Sequence, residues 1–229
     1  MGTDAEFDRY AENYERLLRD PMRDAFGASG DFFHRRKWTL LADFLRRRGI
    51  STGGLSWLDV GCGKGELLRY GIPHFRRLVG CERSKEMVRH VEGVESYWQE
   101  APDRLAFPDA SFDLITAVCV YHHVEESLRG PLTGEIYRVL RPNGVCCIIE
   151  HNPFNPATQL IVRRSPIDVD ANLLTSRRTR RCLKTTGFRD VECEYFLLLP
   201  ERFFDRLGGI ERALGRLPLG GQYAIFARK

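Results

Sequence analysis

No run of apolar residues approaches the roughly 18 to 20 that a membrane-crossing helix needs, so insertion into a bilayer is not expected. The acidic start "MGTDAEFD" lacks the basic region and apolar core of a secretory signal, which points to the cytoplasm. No CxxC pair occurs among the seven cysteines. They are scattered and mostly sit in apolar runs, where a free thiol behaves as a small hydrophobe, and this fits a reducing compartment. Adjacent Cys146 and Cys147 are expected on opposite faces of a strand, so no cysteine-built zinc site, and no metal, is anticipated. Strong charge of one sign is also lacking, the net charge being +4. The arginines gather in local knots, "LRRRG" (45–49), "VRRS" (162–165) and "SRRTRR" (176–181). Such knots read as solvated helix faces or as contacts to an anionic substrate; a nucleic-acid surface would interleave basic and aromatic residues along one face.

The 229 residues, 43% of them hydrophobic, suffice for one well-buried domain and not for two of full size. A single domain over 1–229 is therefore expected. Its parts are a helical segment at 1–50, a ligand-binding core at 55–155, and a substrate-side segment with closing strands at 156–229. From Phe7 the apolar residues Phe7, Tyr10, Tyr14, Leu17 and Leu18 follow the stripe of an amphipathic helix. A second helix carries Trp38, Leu41, Phe44 and Leu45 and stops at Gly49, before the turn-rich "STGG". Beyond Leu55, short apolar runs at 56–60, 77–81, 96–98, 112–118 and 144–150 alternate with helical stretches, the pattern of right-handed βαβ units and a parallel sheet. Two more strand-like runs, at 190–198 and 222–229, flank the helical "ERFFDRLGGIERAL" and suggest a mixed edge.

Three glycines follow the first strand in "LDVGCGKGELL" (58–68). In open α/β sheets the first strand-to-helix turn usually contacts the ligand, and glycine there allows close backbone approach and positive φ. The phosphate-loop pattern GxxxxGK[ST] fails, because Gly65 follows Gly63-Lys64. The dinucleotide pattern GxGxxG fails as well, since the spacing is GxGxG and Glu66 takes the sixth place. An acidic residue, Glu82, ends the second strand in the right place to take both hydroxyls of a ribose, so the loop reads as a nucleoside site.

Four blocks, "LDVGCGKGELL", "VGCERSKEMV", "LAFPDASFDLITAVCVYHHV" and "IYRVLRPNGVCCIIEHNP", together resemble in order and spacing the class I S-adenosylmethionine-dependent methyltransferases. The resemblance implies an α/β, Rossmann-like seven-stranded mixed sheet with its last strand antiparallel and an N-terminal helical lid. It also implies S-adenosyl-L-methionine as cofactor. Gly61, Cys62 and Gly63 would face its amino-acid portion and ribose, with Asp59 supporting the loop. Glu82 would accept the ribose hydroxyls, while Met87, Arg83 and Val118 would border the nucleoside. Tyr14 of the lid would approach the sulfonium and Lys37 the methionyl carboxylate. Where such proteins commonly carry an Asp before "LPF", this chain has Ala101 and "LAF". The adenine contact then falls to the backbone at Ala101 and Pro102, or to Glu100 or Asp103.

Methyl transfer from a sulfonium asks chiefly for alignment and exclusion of water, but a hydroxyl or ammonium acceptor must also lose a proton, a task suited to histidine. His122 and His123 after the fourth strand, and His151 after the fifth with Asn152 to orient it, are the candidates. Pro153 and Pro156 stiffen the second of these loops. In the segment 159–175, read as an inserted loop, Arg163 and Arg164 would bind an anionic group of the acceptor or pair with Asp168 and Asp170. The reading is a methyltransferase acting on an O or N atom of a small molecule: a sugar, a lipid-linked compound or a secondary metabolite. RNA methylation is disfavoured, because no (N/D)PP(Y/F) follows the fourth strand. A non-catalytic nucleoside-binding module and a nicotinamide oxidoreductase remain as alternatives.

Overall fold

The computed structural model describes residues 4–229, with side chains from Phe7 onward, so the first three residues of the expected helical segment lie outside it. Seven strands form one sheet: β1 (Ser56–Val60), β2 (Arg77–Glu82), β3 (Glu95–Trp98), β4 (Phe112–Val118), β5 (Leu140–His151), β6 (Arg189–Phe196) and β7 (Gln222–Arg228). Their order is β3-β2-β1-β4-β5-β7-β6. β1 to β5 pair in parallel, and β7 runs antiparallel to both β5 and β6. This is the α/β, Rossmann-like mixed sheet with an antiparallel last strand that the resemblance implies, and the run pattern marks its mixed edge. Strand order reverses between β1 and β4, so the carboxyl ends of β1, β4 and β5 meet at one crevice, where such sheets bind their ligands.

Sheets covered on both faces need near-continuous apolar strands, and all five residues of β1 are buried. Alternate residues feed two cores. Leu58, Ile115, Cys146 and Ile148 pack on one side, and Trp57, Leu114, Cys147 and Phe226 on the other. Cys146 and Cys147 thus part to opposite faces, and all seven cysteines are free thiols.

The N-terminal stripe does not form one helix. It breaks into α1 (Asp4–Tyr10), a tight turn at Ala11–Asn13, α2 (Tyr14–Leu17) and α3 (Pro21–Phe26). Pro21 cannot continue a preceding helix but suits a first helical position, and the Asp20 carboxylate caps α3 by accepting the N–H of Met22 at 2.8 Å. α4 (Gly30–Arg47) ends just before Gly49, whose φ of +65° is the left-handed turn that glycine adopts freely. Its Phe32, Leu41, Phe44 and Leu45 are buried, and Phe44 stacks on Phe226 of β7 with centroids 3.9 Å apart. α4 is therefore a covering layer of the sheet, and it borders the crevice together with α1 to α3.

α5 (Glu66–Gly71), α6 (Lys85–Arg89) and α7 (Glu126–Val139) fill the crossovers. The segment 159–175 is only partly a loop: α8 (Pro156–Arg164), capped by the Asn155 side chain, takes in its residues 159–164. α9 (Ser176–Thr186) and α10 (Glu201–Leu214) follow. Arg36 of α4 forms a buried ion pair with Glu211 of α10, whose other oxygen accepts the N–H groups of Leu198 and Leu199 at 2.9 Å. No helix among the described residues is long and apolar enough to cross a membrane.

Candidate active site

β1 runs into a turn in which Gly61, Gly63 and Gly65 hold φ of +68°, +56° and +77°. A Cβ on Gly61 would stand 2.5 Å from Val120 Cγ2, so both space and backbone conformation require glycine there. At Gly63 the requirement is conformational, the nearest atom to a Cβ being Glu66 Oε2 at 3.4 Å. Glu82 braces the turn: its Oε2 accepts the Gly63 N–H at 3.0 Å, and its Oε1 accepts those of Arg83 and Ser84 at 2.7 and 2.9 Å. Oε2 therefore keeps a lone pair for one more donor. Burial pushes the Glu82 carboxyl above its ordinary range against the pull of these N–H groups. Asp59 does not hold the turn directly. Its carboxylate accepts the Thr116 hydroxyl at 2.5 Å, and the Gly61 and Cys62 N–H groups bond instead to the Cys81 carbonyl, at 2.8 and 3.1 Å. Burial lifts the Asp59 carboxyl to about 7 despite the Thr116 bond.

A cavity of about 410 Å³ opens beside the turn. Gly61, Cys62, Gly63, Glu82, Arg83 and Met87 line one end, with Asp59, Pro102 and Val118 nearby, and the helical segment lends Tyr14 and Lys37. Ala101 stands outside the wall, its carbonyl accepting Gln99 Nε2 at 2.8 Å. Neither Glu100 nor Asp103 reaches the cavity, whereas buried Gln99 does. Lys37 is buried and makes no ion pair among the described residues. An unpaired buried ammonium is costly, and an anionic group of a bound ligand would relieve it. One turn earlier on α4, His34 also lines the cavity; its Nδ1 has no hydrogen-bond partner among the described residues, and burial with the Lys37 charge lowers it to about 3.

α1 bridges the two sides of the crevice. The Asp8 carboxylate accepts the Ser84 hydroxyl at 2.6 Å and the Glu86 N–H at 3.1 Å, and Tyr10 donates to the Pro166 carbonyl at 3.2 Å. Between them Phe7 sets its ring edge against His123, centroids 5.1 Å apart.

The three histidines line the same cavity, the rings of His123 and His151 lying 4.2 and 5.2 Å from that of His122. His122 is buried, with Nδ1 2.5 Å from Glu150 Oε2 and Nε2 3.4 Å from Asp168 Oδ1. Glu150 Oε1 accepts the N–H groups of Val120 and Tyr121 at 3.0 and 2.7 Å, which pins the turn after β4. Burial opposes a charge on His122, but Glu150 and Asp168 outweigh it and raise the ring to about 10. His123 Nε2 also lies 3.4 Å from Asp168 Oδ1, and burial moves its ring below the ordinary value. The His151 ring lies 5.2 Å from that of His122; burial and the His122 charge lower it to about 4. No carboxylate engages His151 among the described residues. Asn152 turns away from it and donates to the Pro218 and Gly220 carbonyls at 3.0 and 2.8 Å. Arg163 and Arg164 are exposed and outside the cavity, Arg164 facing Asp20 at 3.7 Å, so Asp168 answers the histidines and not the arginines.

Sequence reasoning passes over Gln99, His34 and Glu150. The signal for Glu150 is an acid closing an otherwise apolar strand, "CCIIE", a position that burial tolerates only when the carboxylate is fully bonded. Gln99 and His34 carry no comparable mark.

Residues 58–148 match the profile of a family described as a methyltransferase domain. The cycloartenol-C-24-methyltransferase 1 of Oryza sativa subsp. japonica is 29% identical over 189 residues, 71% of this chain and 54% of that protein. The 27-O-demethylrifamycin SV methyltransferase of Amycolatopsis mediterranei (strain S699) is 26% identical over 149 residues, 60% of this chain and 54% of that protein. The chain spans about half the length of these curated relatives. Among solved structures, a SAM-dependent methyltransferase from Archaeoglobus fulgidus shares the fold with a TM-score of 0.64 at 22% identity, over 86% of this chain and 98% of that one. The profile match lies over the glycine turn, the acid at the end of β2 and the strands that carry them, so in sequence and in fold the chain is similar to S-adenosylmethionine-dependent methyltransferases.

Proposed function

We propose that this chain transfers a methyl group from S-adenosylmethionine to an oxygen or nitrogen of a small, largely apolar acceptor. One observation carries the reading: one cavity is lined by Glu82, the glycine turn and three histidines, and by a lysine that makes no ion pair among the described residues. When bound, S-adenosylmethionine supplies a methyl carbon activated by positively charged sulfur. Glu82, through the free lone pair on Oε2, holds a ribose hydroxyl, and the bare Gly61 to Gly63 backbone allows the approach. Lys37 faces the methionyl carboxylate. Gln99, Met87, Pro102 and Arg83 bound the adenine. Phe7 and Tyr14, on the overhanging helices, exclude water from the reacting atoms.

At the acceptor end, His151 is the proton acceptor in this reading, because its ring faces the cavity without a carboxylate on either nitrogen. His122 has both ring nitrogens directed at carboxylates and positions the turn. Phe26, Phe33, Ile161 and Ile167 make the acceptor's walls apolar. This favours a ring or chain bearing one hydroxyl or amine. Arg163 and Arg164 lie off the cavity, so an anionic acceptor is not required. The two relatives' names give small-molecule acceptors, one methylated at oxygen and the other at carbon 24, so they support the small-molecule class of the acceptor and leave its atom to the test. The free thiols agree with a cytoplasmic setting.

The test supplies methyl-labelled S-adenosylmethionine to the full chain with separate metabolite and RNA pools. Label is expected in the metabolite pool, and transfer to RNA alone would overturn the acceptor class. Calorimetric binding of NAD without binding of S-adenosylhomocysteine would overturn the cofactor.

A further inference from the structure

Asp168 is a carboxylate whose side chain is only 11% exposed, yet among the described residues it faces just two ring nitrogens, His122 Nε2 and His123 Nε2, each 3.4 Å from the same oxygen. A carboxylate taken out of water needs a closely bonded counter-charge. Charge-assisted N–H···O bonds close to about 2.7 to 2.9 Å, so 3.4 Å is a poor fit to that purpose. It is, however, about the separation of two ligand atoms on a tetrahedral cation bonded at about 2.1 Å to each. The three donor atoms all lie within 4.8 Å of one another.

The surroundings support the same geometry. Glu150, 2.5 Å from His122 Nδ1, orients the ring so that Nε2 points at Asp168, which is the carboxylate–histidine arrangement found behind metal-bound imidazoles. The loop bearing Asp168 is tied to the histidine turn before any ion arrives. The Asn172 N–H donates to the His122 carbonyl at 2.8 Å, and the Arg129 guanidinium donates to the carbonyls of Val124 and Asn172 at 2.9 and 3.0 Å. All three donors border the cavity.

We propose that His122 Nε2, His123 Nε2 and a carboxylate oxygen of Asp168 bind one divalent first-row cation of the zinc type, with its remaining coordination position open to the cavity. Two imidazoles and one carboxylate suit such an ion and not calcium or magnesium, which take oxygen ligands. The open position accepts a water molecule. If the methyl-transfer reading holds, it also accepts one lone pair of a hydroxyl acceptor, leaving the oxygen's second lone pair for the methyl and placing that atom beside His151.

The test is made on the full chain after chelator treatment, by equilibrium dialysis against zinc alone and by the visible absorption of added cobalt(II). One equivalent of zinc and the intense visible bands of four-coordinate cobalt are expected. Asp168→Asn, nearly isosteric, and His123→Ala should each weaken zinc binding at least tenfold, and Glu150→Gln should weaken it by about 10 to 100-fold. His90→Ala, on the exposed end of α6, should leave it unchanged, with circular dichroism confirming folded protein throughout. Binding that survives both Asp168→Asn and His123→Ala, thiolate charge-transfer bands with cobalt, or no zinc retained by folded wild-type chain would each overturn the site. Stoichiometric zinc lost in both variants supports it whether or not methyl transfer is seen, so the two proposals fail separately.

Discussion

Gly61 is required twice, by a φ of +68° and by Val120 Cγ2 lying 2.5 Å from where a Cβ would be. Gly61→Ala should therefore cost about 2 to 4 kcal/mol, combining left-handed backbone strain with overpacking. In urea unfolding, adding Val120→Ala should recover the overpacking part, a coupling of about 1 kcal/mol or more. Strict additivity would show that only the backbone matters. Glu82→Ala should lower affinity for S-adenosylhomocysteine by about 2 to 3 kcal/mol through lost charge-assisted hydrogen bonds. Unchanged calorimetric affinity would place the ribose elsewhere. Residues of this kind are readable in a sequence because a turn at a strand end admits few types. Gln99 and His34 are not readable, since nothing in their neighbours marks which way their side chains face.

At the scale of elements, α1 is held down by Asp8, which accepts from Ser84 Oγ and the Glu86 N–H. Burial raises the Asp8 carboxyl, but the Ser84 and backbone bonds, with Lys85 nearby, outweigh it and leave it below 3.8. A carboxyl depressed in the folded state stabilises above its unfolded value and loses that contribution as pH falls through the folded one. The α1 contact should accordingly hold at pH 5 and release as pH drops below about 4. Limited pepsin digestion, normalised to an unstructured peptide, should show cleavage near Phe7 to Tyr10 rising across that interval. Asp8→Asn should be cut readily already at pH 5 and show little further acid response; identical profiles would show that Asp8 does not hold α1 in place. The apolar stripe from Phe7 marks a helical region, but periodicity does not reveal that the tight turn at Ala11–Asn13 divides it, nor that the second helix packs on the sheet.

For the molecule as a whole, the cavity is bounded by strand ends, overhanging helices and the loop after α8, so a ligand bridging them stabilises only the folded chain. S-adenosylhomocysteine at about 100 times its Kd should add about 2.7 kcal/mol. At roughly 2 to 4 °C per kcal/mol for a chain of this size, Tm should rise by about 5 to 11 °C. NAD at the same concentration should leave Tm in place in differential scanning calorimetry. A rise with NAD and none with S-adenosylhomocysteine would contradict the cofactor.

Sequence alone determined the strand runs, the glycine turn and the acid that follows it, because burial on both faces of a sheet and positive φ at a tight turn leave local signatures in residue type. It also marked His122, His123 and His151 as a group, since strand ends in this topology face one crevice. Only the tertiary structure decided what those histidines meet. Glu150, Asp168 and Asn152 are separated from their partners by 28 to 68 residues, and which of them turns inward depends on loops held by long-range backbone bonds. For the same reason Arg163 and Arg164, placed beside Asp168 by sequence proximity, point to solvent, while Asp168 is carried into the cavity by a hydrogen bond between Asn172 and His122. Local chemistry specified the strands and the turn; packing across the crevice specified the site.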